Sequence, residues 1–285
     1  MEIVKLGDVG ISRVVELEGP MMAPSELFPD VGSEDLALHR DWLSPLFLDP
    51  DDILILSVHT YVVRTRQHII LVDTGVGRGK DQGTESRYLR GLLDAGVSPE
   101  KVDFIVNTHF HIDHVGWNTR WSDGKLVPTF PRAEYLFVRE EWDYWRGVTD
   151  PRLGSEPIQE SVTPIMESGK ARVVEGDFVI DEDTRLEPIP GHTPGHVAVH
   201  VESGGKEAIL VGDMFHHPVQ VAEPGWRNAL DEINGDPTEA REVREAFLER
   251  YADRDTMILP AHFAYPTAGY IISKDRAFRW RPTAA

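Results

Sequence analysis

The chain of 285 residues contains no cysteine. That absence excludes a disulfide framework, a thiolate metal ligand and cysteine redox chemistry, and leaves no disulfide from which to read a compartment. No apolar run reaches the ~20 residues that a membrane-spanning helix needs. Basic residues are scarce: 29 Lys and Arg stand against 48 Asp and Glu, a formal charge of −19. A surface so short of cations repels phosphate backbones, so no nucleic-acid partner is expected. The excess acid serves solubility or adaptation to salt on one reading and substrate selection on another. The start, Met1 to Asp8, lacks the basic end and apolar core of a signal peptide, which makes a cytoplasmic protein the expectation. Internal repeats and low-complexity tracts are also missing. The length suits one large domain or two small ones, with enough burial to need no staples.

What is present is concentrated in Thr108-His109-Phe110-His111-Ile112-Asp113-His114. Three imidazoles and one carboxylate within six residues directly follow the apolar run Val102 to Val106, which reads as a buried strand. The motif therefore sits at a strand's carboxyl end, where open α/β sheets place their ligand sites. In an extended segment His109 and His111 point to the same side and can share one metal ion. Asp113 and His114 follow where the chain turns and can serve a second. Neutral imidazole and carboxylate suit zinc, iron, manganese or cobalt. Three further candidates end short apolar runs: His192 in the loop Pro188 to His196, Asp213 after Ala208 to Val211, and His262 after Thr256 to Leu259. Strand ends converging on one sheet edge would unite them all.

In the order and spacing of His109-His111-Asp113-His114, His192, Asp213 and His262, the chain resembles the metallo-β-lactamase superfamily of metallohydrolases, from roughly Ser57 to Arg281. The resemblance implies a four-layer αββα sandwich with two divalent metal ions at the sheet edge. It implies His109, His111 and His192 for the first ion, Asp113, His114 and His262 for the second, and Asp213 bridging both. It also makes Asp73, at the end of Ile69 to Val72, the early aspartate that orients a ligand histidine or the metal's water. Zinc is the expected metal, with iron, cobalt and manganese as alternatives. The complete ligand set argues against a mononuclear iron sulfur dioxygenase and against a binding protein without turnover.

The rest of the chain reads as mixed α and β. Ile53 to Val63 with His68 to Asp73 reads as a hairpin, and Glu134 to Val138 as a strand. Further strands are expected at Arg172 to Glu175, Leu186 to Ile189, Val197 to Val201 and Ala208 to Val211. A helix is expected from Glu85 to Ala95, with Tyr88, Leu92 and Leu93 near one face and Gly96 as its stop. Another runs from Pro237 to Tyr251, capped by Asp236, with Ala240, Val243, Phe247 and Tyr251 as its buried stripe. The reading is of one domain, residues 1–285, with residues 17–52 as a loop extension over the active site or a homodimer contact. Its Met21, Met22, Phe28, Trp42, Leu46 and Phe47, with Trp117, Trp121, Phe215 and Trp226 from two other irregular stretches, are expected to wall a small-molecule pocket, cover the sheet or form that contact.

Paired ions of this kind supply a nucleophile at neutral pH and polarise a carbonyl or phosphoryl oxygen. Asp113 or Asp213 is the expected proton shuttle. His216, three residues after Asp213, stands where the homoserine-lactonase branch carries a tyrosine, which brings the chain closer to the branch of methyl parathion hydrolase and its lactonase relatives. His216 either joins the reaction or only hydrogen-bonds nearby. His196 reads as structural. The expected activity is hydrolysis of a small, partly apolar lactone or ester, acyl-homoserine lactones among them. Organophosphate triesters or aryl esters are the alternative, and glyoxalase-like thioesters a lesser one.

Overall fold

Apolar residues two apart along short strands divide this chain into two sheets that bury a shared core. The computed structural model describes residues 3–77, 86–150 and 154–283. The strands of the first half are β1 (Ile3–Leu6), β2 (Val9–Met22), β3 (Leu54–Arg64), β4 (Ile69–Val72), β5 (Phe104–Val106), β6 (Thr119–Ser122), β7 (Lys125–Pro128), β8 (Glu134–Val138) and β9 (Ala171–Val174). Those of the second are β10 (Thr184–Pro188), β11 (Val197–Ser203), β12 (Lys206–Leu210), β13 (Thr256–Leu259), β14 (Gly269–Lys274) and β15 (Ala277–Pro282). One sheet runs β1-β2-β3-β4-β5-β8-β9, the other β10 to β15 in order, and β6-β7 form a separate ribbon.

Side-chain alternation sorts the core into layers. Ile70, Val72 and Val106 of the first sheet meet Val197, Val199, Val201 and Leu210 of the second in one cluster. On the opposite faces of the same strands, Leu71 and Ile105 pack with Tyr88, Leu89 and Leu92 of the helix Arg87–Asp94. Ile209 and Val211 pack with Phe247, Leu248 and Tyr251 of the helix Pro237–Tyr251. The order is helix, sheet, sheet, helix, the expected four-layer sandwich. Each fully buried Val, Leu or Ile contributes about 1.5–3 kcal/mol.

Strand direction then places the chemistry. β4 and β5 are parallel, as are β12 and β13, and β10 runs with β12 because both are antiparallel to β11. Asp73, His109, His192, Asp213 and His262 all follow the carboxyl ends of these strands.

The helix Pro237–Tyr251 has Asp236 accepting from the backbone N–H groups of Thr238 and Glu239, as a cap should. In the helix Arg87–Asp94, capped by Ser86, Leu89 and not Leu93 completes the buried face. Leu93 is 51% exposed, since it lies one residue, about 100°, beyond the stripe. Glu85, the expected first residue of that helix, lies outside the described residues. Residues 17–52 are not all loop: Leu17 to Met22 finish β2, and Pro24–Leu27, Ser33–Ala37 and Arg40–Leu43 are short helices. Helices of four or five residues are too short to show a period, and Gly10, Gly19 and Pro20 dilute the strand pattern of β2.

The expected aromatic wall takes a different place. Trp117 is buried and stacks on Tyr88, with ring centroids 5.3 Å apart. Phe28, Phe47 and Phe215 lie in the core outside the second sheet, and Trp226 packs on Phe28. These rings cover the sheets, because large flat surfaces lose most water exposure there.

Candidate metal centre

β5 delivers the histidine-rich turn as a consequence of one left-handed aspartate. Asp73 has φ +60°, a conformation aspartate tolerates better than most residues. Its backbone N–H donates to the Val106 carbonyl, and its Oδ1 accepts from the Thr108 N–H at 2.8 Å. Its Oδ2 lies 2.8 Å from His114 Nδ1. The turn after β12 depends on glycine: Gly212 has φ +48°, and a Cβ there would lie 2.5 Å from His196 Nε2.

The seven expected ligands fall into two groups. His109, His111, His192 and Asp213 bring one donor atom each within 4.8 Å of one another, and Asp113, His114 and His262 do the same. Asp213 sits between the groups: its Oδ2 is 3.7 Å from His109 Nε2 and 3.4 Å from His192 Nε2, and its Oδ1 is 3.1 Å from both His114 Nε2 and His262 Nε2. Asp113 Oδ2 is 3.5 Å from His262 Nε2. All are buried except Asp113, which is partly open.

These contacts fit cations better than they fit hydrogen bonds. His109 Nε2 and His192 Nε2 each lie 3.0 Å from His111 Nδ1. One ring nitrogen carries one proton or one lone pair and cannot serve both neighbours. Donor atoms about 2.0–2.1 Å from a tetrahedral zinc stand roughly 3.3 Å apart, close to this spacing. His114 Nε2 of the second group and Asp213 Oδ1, 3.1 Å apart, are buried without a well-aligned hydrogen bond among the described residues. A buried polar atom left so needs a partner, and a metal ion supplies one.

The remaining ring nitrogens are held from behind, which fixes tautomer and ring plane. His192 Nδ1 meets Asp231 Oδ1 at 2.8 Å, His111 Nε2 meets Asn234 Oδ1 at 3.1 Å, and His262 Nδ1 meets the Ser57 carbonyl at 3.0 Å. Asp231 is completed by the buried Arg244, 3.9 Å away, and by the Asn228 N–H. Glu141 joins two ligand loops: its Oε1 accepts from Phe110 N–H and Trp145 Nε1, and its Oε2 from Thr193 Oγ1 and Gly195 N–H. Sequence reading does not find Asp231, Asn234 or Glu141. They carry no spacing signature, and only folding brings them to the histidines. His196 is buried, accepting from the Asp213 N–H and facing the Ile189 carbonyl.

The electrostatics are those of a site short of positive charge. Burial drives His109 well below its ordinary pKa, and burial with His192 beside it takes His111 down to about 3. At His192 burial is outweighed by the carboxylates of Asp213 and Asp231, which hold it up at about 9. Burial is likewise outweighed at His114, mainly by Asp213 and Asp73, and at His262, mainly by Asp213, so both are raised. Burial would raise Asp113 and Asp213, but the surrounding imidazoles keep both below the ordinary carboxylate range. Protons on some imidazoles stand in for the charge of a cation.

His216 lies beside this cluster. Its Nε2 is 3.2 Å from Asp213 Oδ2, and its ring stacks on His262 with centroids 5.6 Å apart. Its Nδ1 has no hydrogen-bond partner among the described residues. Burial lowers its pKa, with Asp213 opposing. A cavity of about 270 Å³ opens here, lined by Asp113, Asp213, His216 and His262 at the polar end, and by Met21, Met22, Leu27, Leu56, Val58 and Leu230 elsewhere.

Residues 11–262 match the family model described as the metallo-beta-lactamase superfamily. An N-acyl homoserine lactonase from a Bacillus species is 27% identical over 182 residues, 58% of this chain and 66% of that protein's length. The chain thus matches just under two thirds of that relative. The crystal structure of hydrolase AbOPH, in the beta lactamase superfamily, superposes with a TM-score of 0.81 at 25% identity, covering 99% of this chain and 97% of that one. AidC, described as a dizinc quorum-quenching lactonase with a product bound, gives a TM-score of 0.80 at 22% identity over 100% of this chain and 97% of that one, a likeness of fold.

Proposed function

Because the chain belongs to the metallo-beta-lactamase superfamily, we propose that it is a metal-dependent hydrolase of small, partly apolar lactones or esters, acyl-homoserine lactones among them. The observation that carries this reading is the cavity: an aliphatic wall leads directly to the two groups of metal-facing side chains. His109, His111 and His192 would hold one divalent ion, Asp113, His114 and His262 another, and Asp213 would touch both, with zinc as the expected metal. When bound, such a pair makes water a nucleophile at neutral pH and polarises a carbonyl oxygen.

The chain's own residues do the rest. The aliphatic wall binds the acyl arm and excludes water from it. Part of that wall, Met21, Met22 and Leu27, comes from residues 17–52, which supports reading this segment as a cover of the site. Hydrolysis adds OH to the acyl carbon and moves one proton to the alkoxide oxygen that leaves. His216 lines the cavity, its Nδ1 has no hydrogen-bond partner among the described residues, and burial lowers its pKa, so it can take up that proton and hand it on. Asp113 and Asp213 line the same space and are the alternative carriers.

The test is proton release by the metal-loaded protein with acyl-homoserine lactones of several chain lengths, simple γ- and δ-lactones, an aryl phosphotriester and a thioester. Lactone turnover that rises with acyl length supports the reading. Inert lactones with rapid phosphotriester turnover would replace it with the organophosphate alternative.

A further inference from the structure

Glu26 is the one carboxylate on the cavity wall outside the metal-facing groups, and no lysine or arginine lines that cavity among the described residues. The side chain is held in place. Its Oε2 accepts from the Ala23 N–H at 2.7 Å, at the start of the helix Pro24–Leu27, while Oε1 makes no hydrogen bond among the described residues. The helix is tied across the cavity by the Ala229 N–H donating to the Leu27 carbonyl, and by Arg227 paired with Asp30 at 2.7 Å. Glu26 therefore cannot swing away without breaking a cap and disturbing a wall that both segments build.

Resting on the reading of the cavity as a substrate site, we infer that Glu26 is a specificity-determining residue that rejects substrates with a negative charge on the apolar arm. An anionic arm meets the Glu26 carboxylate with no lysine or arginine among the described residues on the cavity wall to offset it. An uncharged arm packs on the aliphatic wall without that repulsion, and an arm with an N–H finds the open Oε1 as acceptor. Glu26 faces solvent on its other side, so the discrimination should be that of one partly screened charge, about three- to tenfold.

The experiment uses the metal-loaded protein and two aryl esters, a hexanoate and the monoester of adipic acid, which differ only by a terminal carboxylate. Glu26→Gln keeps an oxygen for the Ala23 cap and removes the charge. The ratio of kcat/KM, neutral over anionic, should fall about three- to tenfold in the variant. In the wild type it should shrink with added salt, a dependence the variant loses. A ratio unchanged by Glu26→Gln and insensitive to salt overturns the inference. Should the wild type hydrolyse neither ester, ester hydrolysis itself fails. Glu26 is then judged by calorimetric binding of hexanamide against adipamate, where the same loss of discrimination in Glu26→Gln is required.

Discussion

Removing the Glu141 carboxylate should destabilise the protein even without metal. The side chain is buried and accepts four hydrogen bonds, from Phe110 N–H, Trp145 Nε1, Thr193 Oγ1 and Gly195 N–H. In Glu141→Ala all four donors lose their acceptor in a dry site. At about 1–3 kcal/mol each, the mid-range total is about 8 kcal/mol. Part is offset, because burial of the carboxylate is itself costly and pushes its pKa up against the four donors. The net expectation is a loss of about 3–5 kcal/mol, the usual cost of breaking a buried charged network. Glu141→Gln keeps an oxygen for two donors and lets the Thr193 hydroxyl rotate to accept, leaving Gly195 N–H unpaired, so about 1–3 kcal/mol is expected. The assay is urea denaturation of the chelated protein. Because the folded pKa is raised, the carboxyl's contribution is full below the ordinary carboxylate value and is lost as pH rises through the folded value. The deficit of the Gln variant should therefore be largest at the acid end and narrow with rising pH. Glu141→Ala within about 0.5 kcal/mol of wild type would refute the account of this network.

Four other outcomes follow from the same geometry. Asp213→Ala should lower the metal content measured by plasma mass spectrometry and cut turnover beyond the about 100-fold that outer partners reach; full metal content with a near-wild-type rate would sink the two-metal reading. Asp231→Asn removes the charge behind His192 and should weaken metal binding about 10- to 100-fold in a chelator competition, with unchanged affinity counting against its role. His216→Phe should lower kcat about 100-fold with metal content intact, and an unaltered kcat would exclude His216 from proton transfer. Metal binding should release protons, measured by calorimetry in buffers of different ionisation enthalpy. In the metal-free protein the raised His192 adds stability below pH ~6.5 that is lost as pH rises through about 9, so metal affinity should climb across that window.

Much of the site is legible in the chain because strand ends leave a linear mark. An apolar run followed by histidine or aspartate is readable at His109, His192, Asp213 and His262 without knowing where the strands go, and the His109–His114 turn is local by construction. The helix Pro237–Tyr251 is legible for a similar reason, since its cap, first-turn proline and apolar stripe are all short-range signals. The hairpins β1-β2 and β14-β15 escape such reading. Their partners lie close in sequence, but glycine and charged residues interrupt the apolar alternation that would mark the strands.

Everything that depends on meeting across the fold was decided only by tertiary structure. Asp231 and Asn234 reach His192 and His111 from 39 and 123 residues away, and Glu141 staples Phe110, 31 residues before it, to Thr193, 52 residues after it. Phe28, Phe47, Trp117 and Phe215 went to cover the sheets, Trp121 stayed exposed, and aliphatic Met22, Leu27, Leu56 and Val58 took the cavity wall. Composition states that a chain has apolar surface to bury. Which part is buried in the core and which is left to meet a ligand depends on shape, because packing rewards the best fit among all the surfaces the fold brings together.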